Sequence, residues 1–186
     1  MARRYEFEFS LLAFKIPMHV RSAELGDVPR MMELEREAQT AAHWTEQNYR
    51  SIFTETSPRR LALVVERVSL PEYLPELEHP EQRKLCGFIV ARCVDTEWEI
   101  ENLVVAVAER RQGCGSRLVQ ELLKRARSEG ACSVELEVRC TNLSAKRLYG
   151  QCGFEERGTR KSYYSSPLED ALLLRLDFPA AASENG

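Results

Sequence analysis

The tightest constraint on the fold lies in residues 97–139. EWEIENLVV (97–105) is a β-rich run. AERRQGCGSRLVQELLKRARSEG (108–130) follows, with Gly113 and Gly115 at its turn and Leu118, Val119, Leu122, Leu123 and Ala126 on one helical face up to Gly130. CSVELEVR (132–139) is a second strand. Two strands joined through a helix share a sheet by a crossover, which makes them parallel.

Around this unit the pattern is one of hairpins. HVRSA (19–23) reads as a strand. GDVPRMMELEREAQ reads as a helix with Asp27 as N-cap and Pro29 in its first turn. HWTEQNYRSIF predicts a second helix capped by Thr45, with Trp44 just outside as a staple. Residues 60–68 and 85–94 are β-rich, and the proline- and acid-rich SLPEYLPELEHPEQRK (69–84) between them reads as a long surface loop. LSAKRLYGQC predicts a helix, EERGTRKSYY and DALLLRLDF two last strands. The order β-α-α-β-β-β-α-β-α-β-β implies an α/β fold with a mixed, mostly antiparallel sheet and helices flanking it. At 186 residues the chain fits one domain, expected over 18–178, after an N-terminal extension (1–17) and before a frayed tail (179–186). The regular pattern begins only after Met18, which makes Met18 a candidate true or alternative start.

The glycines sit where a loop becomes a helix. Unpaired N–H groups and the positive end of the helix dipole form an anion site there, and missing β-carbons let a phosphate approach. Arg110 and Arg111 add charge, so the expected anion is a phosphate or pyrophosphate. A P-loop lacks its G-x-x-x-x-G-K-[ST], and a dinucleotide fingerprint lacks its third glycine, since position 118 is Leu118. A tight turn without ligand explains G-x-G alone equally well.

A net charge of -3 argues against a direct nucleic-acid binder. No apolar run reaches the roughly 18 residues of a membrane helix. MARRYEFEFSLLAFKIP lacks the marks of a signal peptide, so the expected location is the cytoplasm. The six cysteines include no C-x-x-C pair and the three histidines are scattered, which predicts no metal site and no disulfide framework. Most cysteines read as small buried hydrophobes. Cys114, at a helix start that can lower a thiol pKa, is the candidate exception.

In its setting, R-x-x-G-x-G (Arg110, Gly113, Gly115) resembles the acyl-CoA pyrophosphate loop of the GNAT superfamily of N-acetyltransferases, and LEVRCTNLSAKRLYGQCGFEERG resembles that superfamily's following strand and helix. The resemblance spans roughly residues 20–178. It implies acetyl-CoA as cosubstrate, bound by Arg110, Arg111, Gln112, Gly113, Cys114, Gly115 and Ser116, with the parallel strands splayed apart. It also implies that Leu103, Val104 and Val105 offer backbone N–H groups to the thioester carbonyl, and that Asn142 touches the CoA arm.

Acetyl transfer to an amine needs a base for the amine and an acid for the departing thiolate. Tyr149 lies on the apolar stripe of its helix with Ala145, Leu148 and Cys152, which packing alone explains. Its match to the family's LY tyrosine makes it the candidate acid. Alternation puts Glu135 and Glu137 on one strand face. The resemblance makes Glu137 the candidate base, acting through water, with Glu101 as its rival.

HWTEQNY, IENLVV, LEVRCTN and KSYYSSPLEDALLL together resemble the RimI-type ribosomal-protein alanine N-acetyltransferases of bacteria. The implied acceptor is the α-amine of an alanine-starting small-subunit ribosomal protein, with Trp44, Glu101, Asn102, Tyr163 and Tyr164 shaping its groove. Glu97, Glu99 and Glu101 alternate onto one face and would attract a basic peptide, although a solvated strand face gives the same pattern. Lysine or small-amine acetylation is the alternative within the family, and a CoA-binding module without catalysis is the alternative outside it. The extension and the 69–84 loop exceed the compact family pattern.

Overall fold

The computed structural model describes residues 18–38, 44–69 and 82–179. The expected extension, nearly all of the expected tail and residues 70–81 of the expected loop lie outside the described residues. Among the described residues seven strands form one sheet: β1 (Met18–Ser22), β2 (Arg59–Ser69), β3 (Gln82–Val94), β4 (Glu97–Val105), β5 (Ser133–Arg139), β6 (Glu155–Ser165) and β7 (Leu168–Asp177). Their spatial order is β1-β2-β3-β4-β5-β7-β6. Among the described residues only β4 and β5 pair in parallel, as the crossover demands. β2 and β3 extend further into the loop region than their β-rich runs predict, pairing as far as Ser69 opposite Gln82.

Four α-helices among the described residues cover the two faces: α1 (Val28–Glu37), α2 (Glu46–Thr54), α3 (Cys114–Ser128) and α4 (Leu143–Gln151). Leu118, Val119, Leu122 and Ala126 of α3 and Tyr149 of α4 pack against Leu63, Ile89, Ile100, Val134 and Leu136. On the opposite face Met31 and Leu34 of α1 and Tyr49 and Ile52 of α2 pack on Val64, Phe88, Val90 and Val104. Each fully buried aliphatic or aromatic side chain contributes about 1.5–3 kcal/mol, so the two cores hold the sheet from both sides.

Local signals explain the helix ends. Thr45 caps α2, its hydroxyl accepting from the N–H of Asn48 at 3.2 Å. Trp44 packs on Tyr49, ring centroids 5.5 Å apart, as a staple should. Asp27 does not cap α1. Its carboxylate instead accepts from Glu24 N–H at 2.8 Å and from Arg21 at 2.7 and 2.9 Å, closing the 3₁₀ turn that precedes the helix. Arg21 holds the Asp27 carboxyl below its usual range.

Candidate active site

β4 and β5 pair only from Glu97/Ser133 to Ile100/Leu136. Beyond that point β4 stays bonded to β3 as far as Val105, and β5 to β7 as far as Arg139, so the two strands part. A cleft of about 610 Å³ opens there, lined by Trp44, Glu101, Asn102, Leu103, Glu137, Asn142, Tyr149, Tyr163 and Tyr164 among others. It thus collects nine of the residues singled out from the sequence.

A β-bulge shapes its floor. Val90 faces Asn102 while Ala91 faces Ile100, leaving Glu101 as the extra residue. Strict alternation would send Asn102 to the α3 side with Trp98 and Ile100. The bulge turns it to the α1 side, where Val104 also packs.

The backbone of β4 follows the same logic. Ala106 N–H donates to Cys86 of β3 at 2.8 Å. Alternation therefore turns the N–H groups of Asn102 and Val104 toward β3 and those of Leu103 and Val105 toward the opening. Val104, expected among the carbonyl-polarising groups, has its N–H on the β3 side and its side chain buried.

Tyr149 is 5% exposed and stacks edge-on against Phe154 at 5.4 Å. Burial, with Cys152 and Tyr164 nearby, raises its phenol above the ordinary tyrosine range. Glu137 pairs with Arg160 of β6, Nη1 to Oε1 2.9 Å. Hydrogen bonding to Glu137, with burial second, pushes the Tyr163 hydroxyl up to about 12. The rival carboxylate is gripped harder: Glu101 accepts from Arg60 at 2.9 and 3.4 Å, and Arg92 stands 3.8 Å away.

The expected acidic stripe is neutralised within the fold. Glu97 pairs with Arg175 at 2.7 Å, Glu99 with Arg92 at 2.9 Å and Glu101 with Arg60. These arginines come from β7, β3 and β2, so strand-local spacing carries no sign of them.

The two motifs LEVR and YY…EDA meet in space. Arg139 donates to Glu169 at 3.2 Å and to the carbonyls of Ser166 and Pro167 at 3.0 and 3.3 Å. Its guanidinium also lies 4.1 Å over the Tyr164 ring. Glu169 accepts from Thr141 N–H at 2.7 Å, and Asp170 from Ser162 N–H at 2.8 Å. The β6–β7 hairpin carrying Tyr163 and Tyr164 is thereby clamped to the end of β5.

The glycine segment lies outside the cleft lining. Gly113 has φ 88° and no side chain caps α3, so the first N–H groups of the helix are left for an outside acceptor. A β-carbon on Gly115 would stand 3.1 Å from Leu148 Cδ2. Arg110 donates to Val105 O at 3.2 Å, and Arg111 is exposed. Ser116 is half-buried in the first turn of α3. The Gln112 side chain is already engaged by Arg67 at 2.6 Å and by Ala108 O at 2.9 Å, which leaves its backbone for a ligand. These features fit a pyrophosphate. Asn142 caps α4, accepting from Ala145 N–H at 3.1 Å. Cys114 is not a reactive thiol: it is buried, and desolvation and then Glu109 push its pKa up rather than down.

Glu35 was not foreseen as a site residue, being read only as part of a helical run. It is 2% exposed, and its carboxylate accepts from Asn102 Nδ2 at 2.7 Å and from Trp44 N–H at 2.8 Å. An acid on the buried stripe of α1, one residue after Leu34, was the available signal.

The family model described as the acetyltransferase (GNAT) family matches residues 29–154. The chain is 28% identical over 159 residues to the ribosomal protein bS18-alanine N-acetyltransferase of Escherichia coli (strain K12), spanning 84% of this chain and 95% of that one. The crystal structure of the ribosomal-protein-S18-alanine N-acetyltransferase from Escherichia coli is similar at TM-score 0.71 and 26% identity, over 90% of this chain and 98% of that one. Ard1 from Thermoplasma volcanium shares the fold, with TM-score 0.71 at 23% identity over 87% and 98% of the two chains.

Proposed function

The chain belongs to the acetyltransferase (GNAT) family, and from that premise we propose that its acceptor is the α-amine of a protein beginning with alanine, a small-subunit ribosomal protein foremost. The coarser activity follows from the family: the protein is an acetyl-CoA-dependent N-acetyltransferase. What carries the finer reading is the wall of the cleft, where Trp44, Tyr163 and Tyr164 flank Glu137 in a groove open to an extended peptide. The similarity to the bS18-alanine enzyme over most of both chains supports it.

When bound, acetyl-CoA supplies an activated thioester carbonyl and a thiolate leaving group. The N-terminus of α3 and Arg110 and Arg111 hold its pyrophosphate. Leu103 and Val105 direct N–H groups at the carbonyl oxygen, where charge develops. Glu137, acting through water, takes the proton of the acceptor ammonium. The α-amine suits a carboxylate base, since its ordinary pKa of about 7.7–8.0 lies far below that of lysine, about 10.4. Tyr149 holds its phenolic proton across the neutral range and delivers it toward the sulfur.

The test is intact-mass analysis of peptides incubated with the protein and acetyl-CoA. The peptides begin with alanine, serine, methionine or blocked alanine, and each continues with the same basic sequence and an internal lysine. One added acetyl on the free alanine peptide and none on the blocked one is the expected result. Acetylation of the blocked peptide would move the activity to lysine. No product on any peptide would point to a small amine or a silent binding module.

A further inference from the structure

Asn102 lines the cleft, yet its side chain is shaped from behind. Nδ2 donates to Glu35 Oε1 at 2.7 Å, while Glu35 Oε2 accepts from Trp44 N–H at 2.8 Å. As a carboxylate Glu35 only accepts, and the Trp44 N–H only donates, so the amide of Asn102 has one compatible orientation. Nδ2 faces Glu35, and Oδ1 is the atom left over. Among the described residues no donor is matched to Oδ1.

The geometry points to Glu35 as a positioning residue: through Asn102 it presents a hydrogen-bond acceptor, Oδ1, to the first N–H groups of the acceptor peptide. It also ties that acceptor to the Trp44 segment at the entrance. The inference rests on the reading of the acceptor as a protein N-terminus. An α-ammonium and the following peptide N–H are donors only, so an acceptor at this place recognises them and a donor rejects them. The β-bulge at Glu101 is what makes the arrangement possible, since without it Asn102 would face α3 and not α1.

The polarity of the pair can be exchanged. In Glu35→Gln, Oε1 must stay with the Trp44 N–H, so Nε2 meets Asn102 and forces its amide to turn over, bringing Nδ2 into the cleft. In the double variant Glu35→Gln with Asn102→Asp, Gln Nε2 donates to one carboxylate oxygen and the other faces the cleft as an acceptor again. Asn102→Ala removes the contact without touching Glu35.

The experiment measures KM and kcat for the free alanine peptide and KM for acetyl-CoA, with thermal melting of each variant. Expected are a peptide KM raised about ten-fold in Asn102→Ala and in Glu35→Gln, an unchanged KM for acetyl-CoA, and recovery of most of the loss in the double variant. An unchanged peptide KM in Asn102→Ala overturns the inference. So does a double variant no better than Glu35→Gln, or one that is unfolded along with it, because either outcome makes Glu35 a packing residue only. Absence of turnover by the wild type on this peptide removes the N-terminal reading itself, and the inference with it. Turnover by the wild type with no effect of the substitutions removes the inference alone.

Discussion

Glu137 and Tyr149 approach the same cleft from opposite sides of the sheet, Glu137 on the face of β5 turned away from the α3 core and Tyr149 within that core. The opening beyond Ile100 and Leu136 brings a carboxylate from one face and a phenol from the other onto one cleft. If the proposed roles hold, the acceptor and the acyl donor enter from different sides and meet where the strands part.

Tyr149→Phe should lower kcat about 100-fold while leaving acetyl-CoA affinity nearly unchanged. The pH dependence carries its own sign. Burial raises the Tyr149 phenol above its ordinary value of about 10, so the proton needed for donation stays in place until the solution is strongly alkaline. kcat of the wild type should therefore rise as the α-amine deprotonates, then stay level up to about pH 10. A falling limb near about pH 9 that vanishes in Tyr149→Phe would contradict the role.

Glu137→Gln and Glu101→Gln separate the two candidate bases. Glu101 is held by Arg60 and approached by Arg92, whereas Glu137 meets the Tyr163 hydroxyl and Arg160, which is more than half exposed. Glu137→Gln should lower kcat/KM by about 100-fold or more, with a larger loss at pH 6.5 than at pH 9, where about nine-tenths of the α-amine is already neutral. Glu101→Gln should cost stability by leaving Arg60 short of a partner and should leave the shape of the pH profile alone. The reverse pattern would make Glu101 the base.

The central βαβ unit is legible because its signals are local. Gly113 marks a backbone that must take positive φ, the apolar stripe of α3 is clean, and Trp98 and Ile100 of β4 and Val134, Leu136 and Val138 of β5 alternate with polar residues. Thr45 and Trp44 announce the start of α2 for the same reason. What the residues do not announce are contacts made across the fold. Glu35 and Asn102 are 67 positions apart, and Arg60 and Glu101 are 41 apart. The bulge at Glu101 is invisible to a period of two, yet it decides which face Asn102 serves. Asp27 misleads because a carboxylate beside a helix start serves equally well to close the preceding turn, and Arg21, brought in by β1, draws it there.

Arg139→Lys keeps the charge at the end of β5 but loses the planar fork that reaches Glu169, Ser166 O and Pro167 O together and stacks on Tyr164. The β6–β7 hairpin should loosen, and with it the tyrosine wall. The expected outcome is a peptide KM several-fold higher, unchanged acetyl-CoA binding and a loss of about 1–3 kcal/mol in denaturant unfolding. A variant with wild-type peptide KM would show that the hairpin keeps its place without this clamp.

Gly113 allows a charge to be tested apart from a shape. Its φ of 88° strains any residue with a β-carbon, and asparagine and aspartate tolerate that region comparably well. Gly113→Asn and Gly113→Asp therefore carry nearly the same backbone strain and differ in one negative charge at the start of α3. A β-carbon at this position would meet no atom within 4 Å, and the two side chains have the same shape beyond it. If the pyrophosphate of CoA sits on these N–H groups, Asp should weaken CoA binding well beyond Asn, about ten-fold further at low salt, and the gap should narrow as salt is added. Equal affinities for CoA in the two variants, measured by calorimetry, would mean that the phosphates lie elsewhere and that the glycine serves the turn alone.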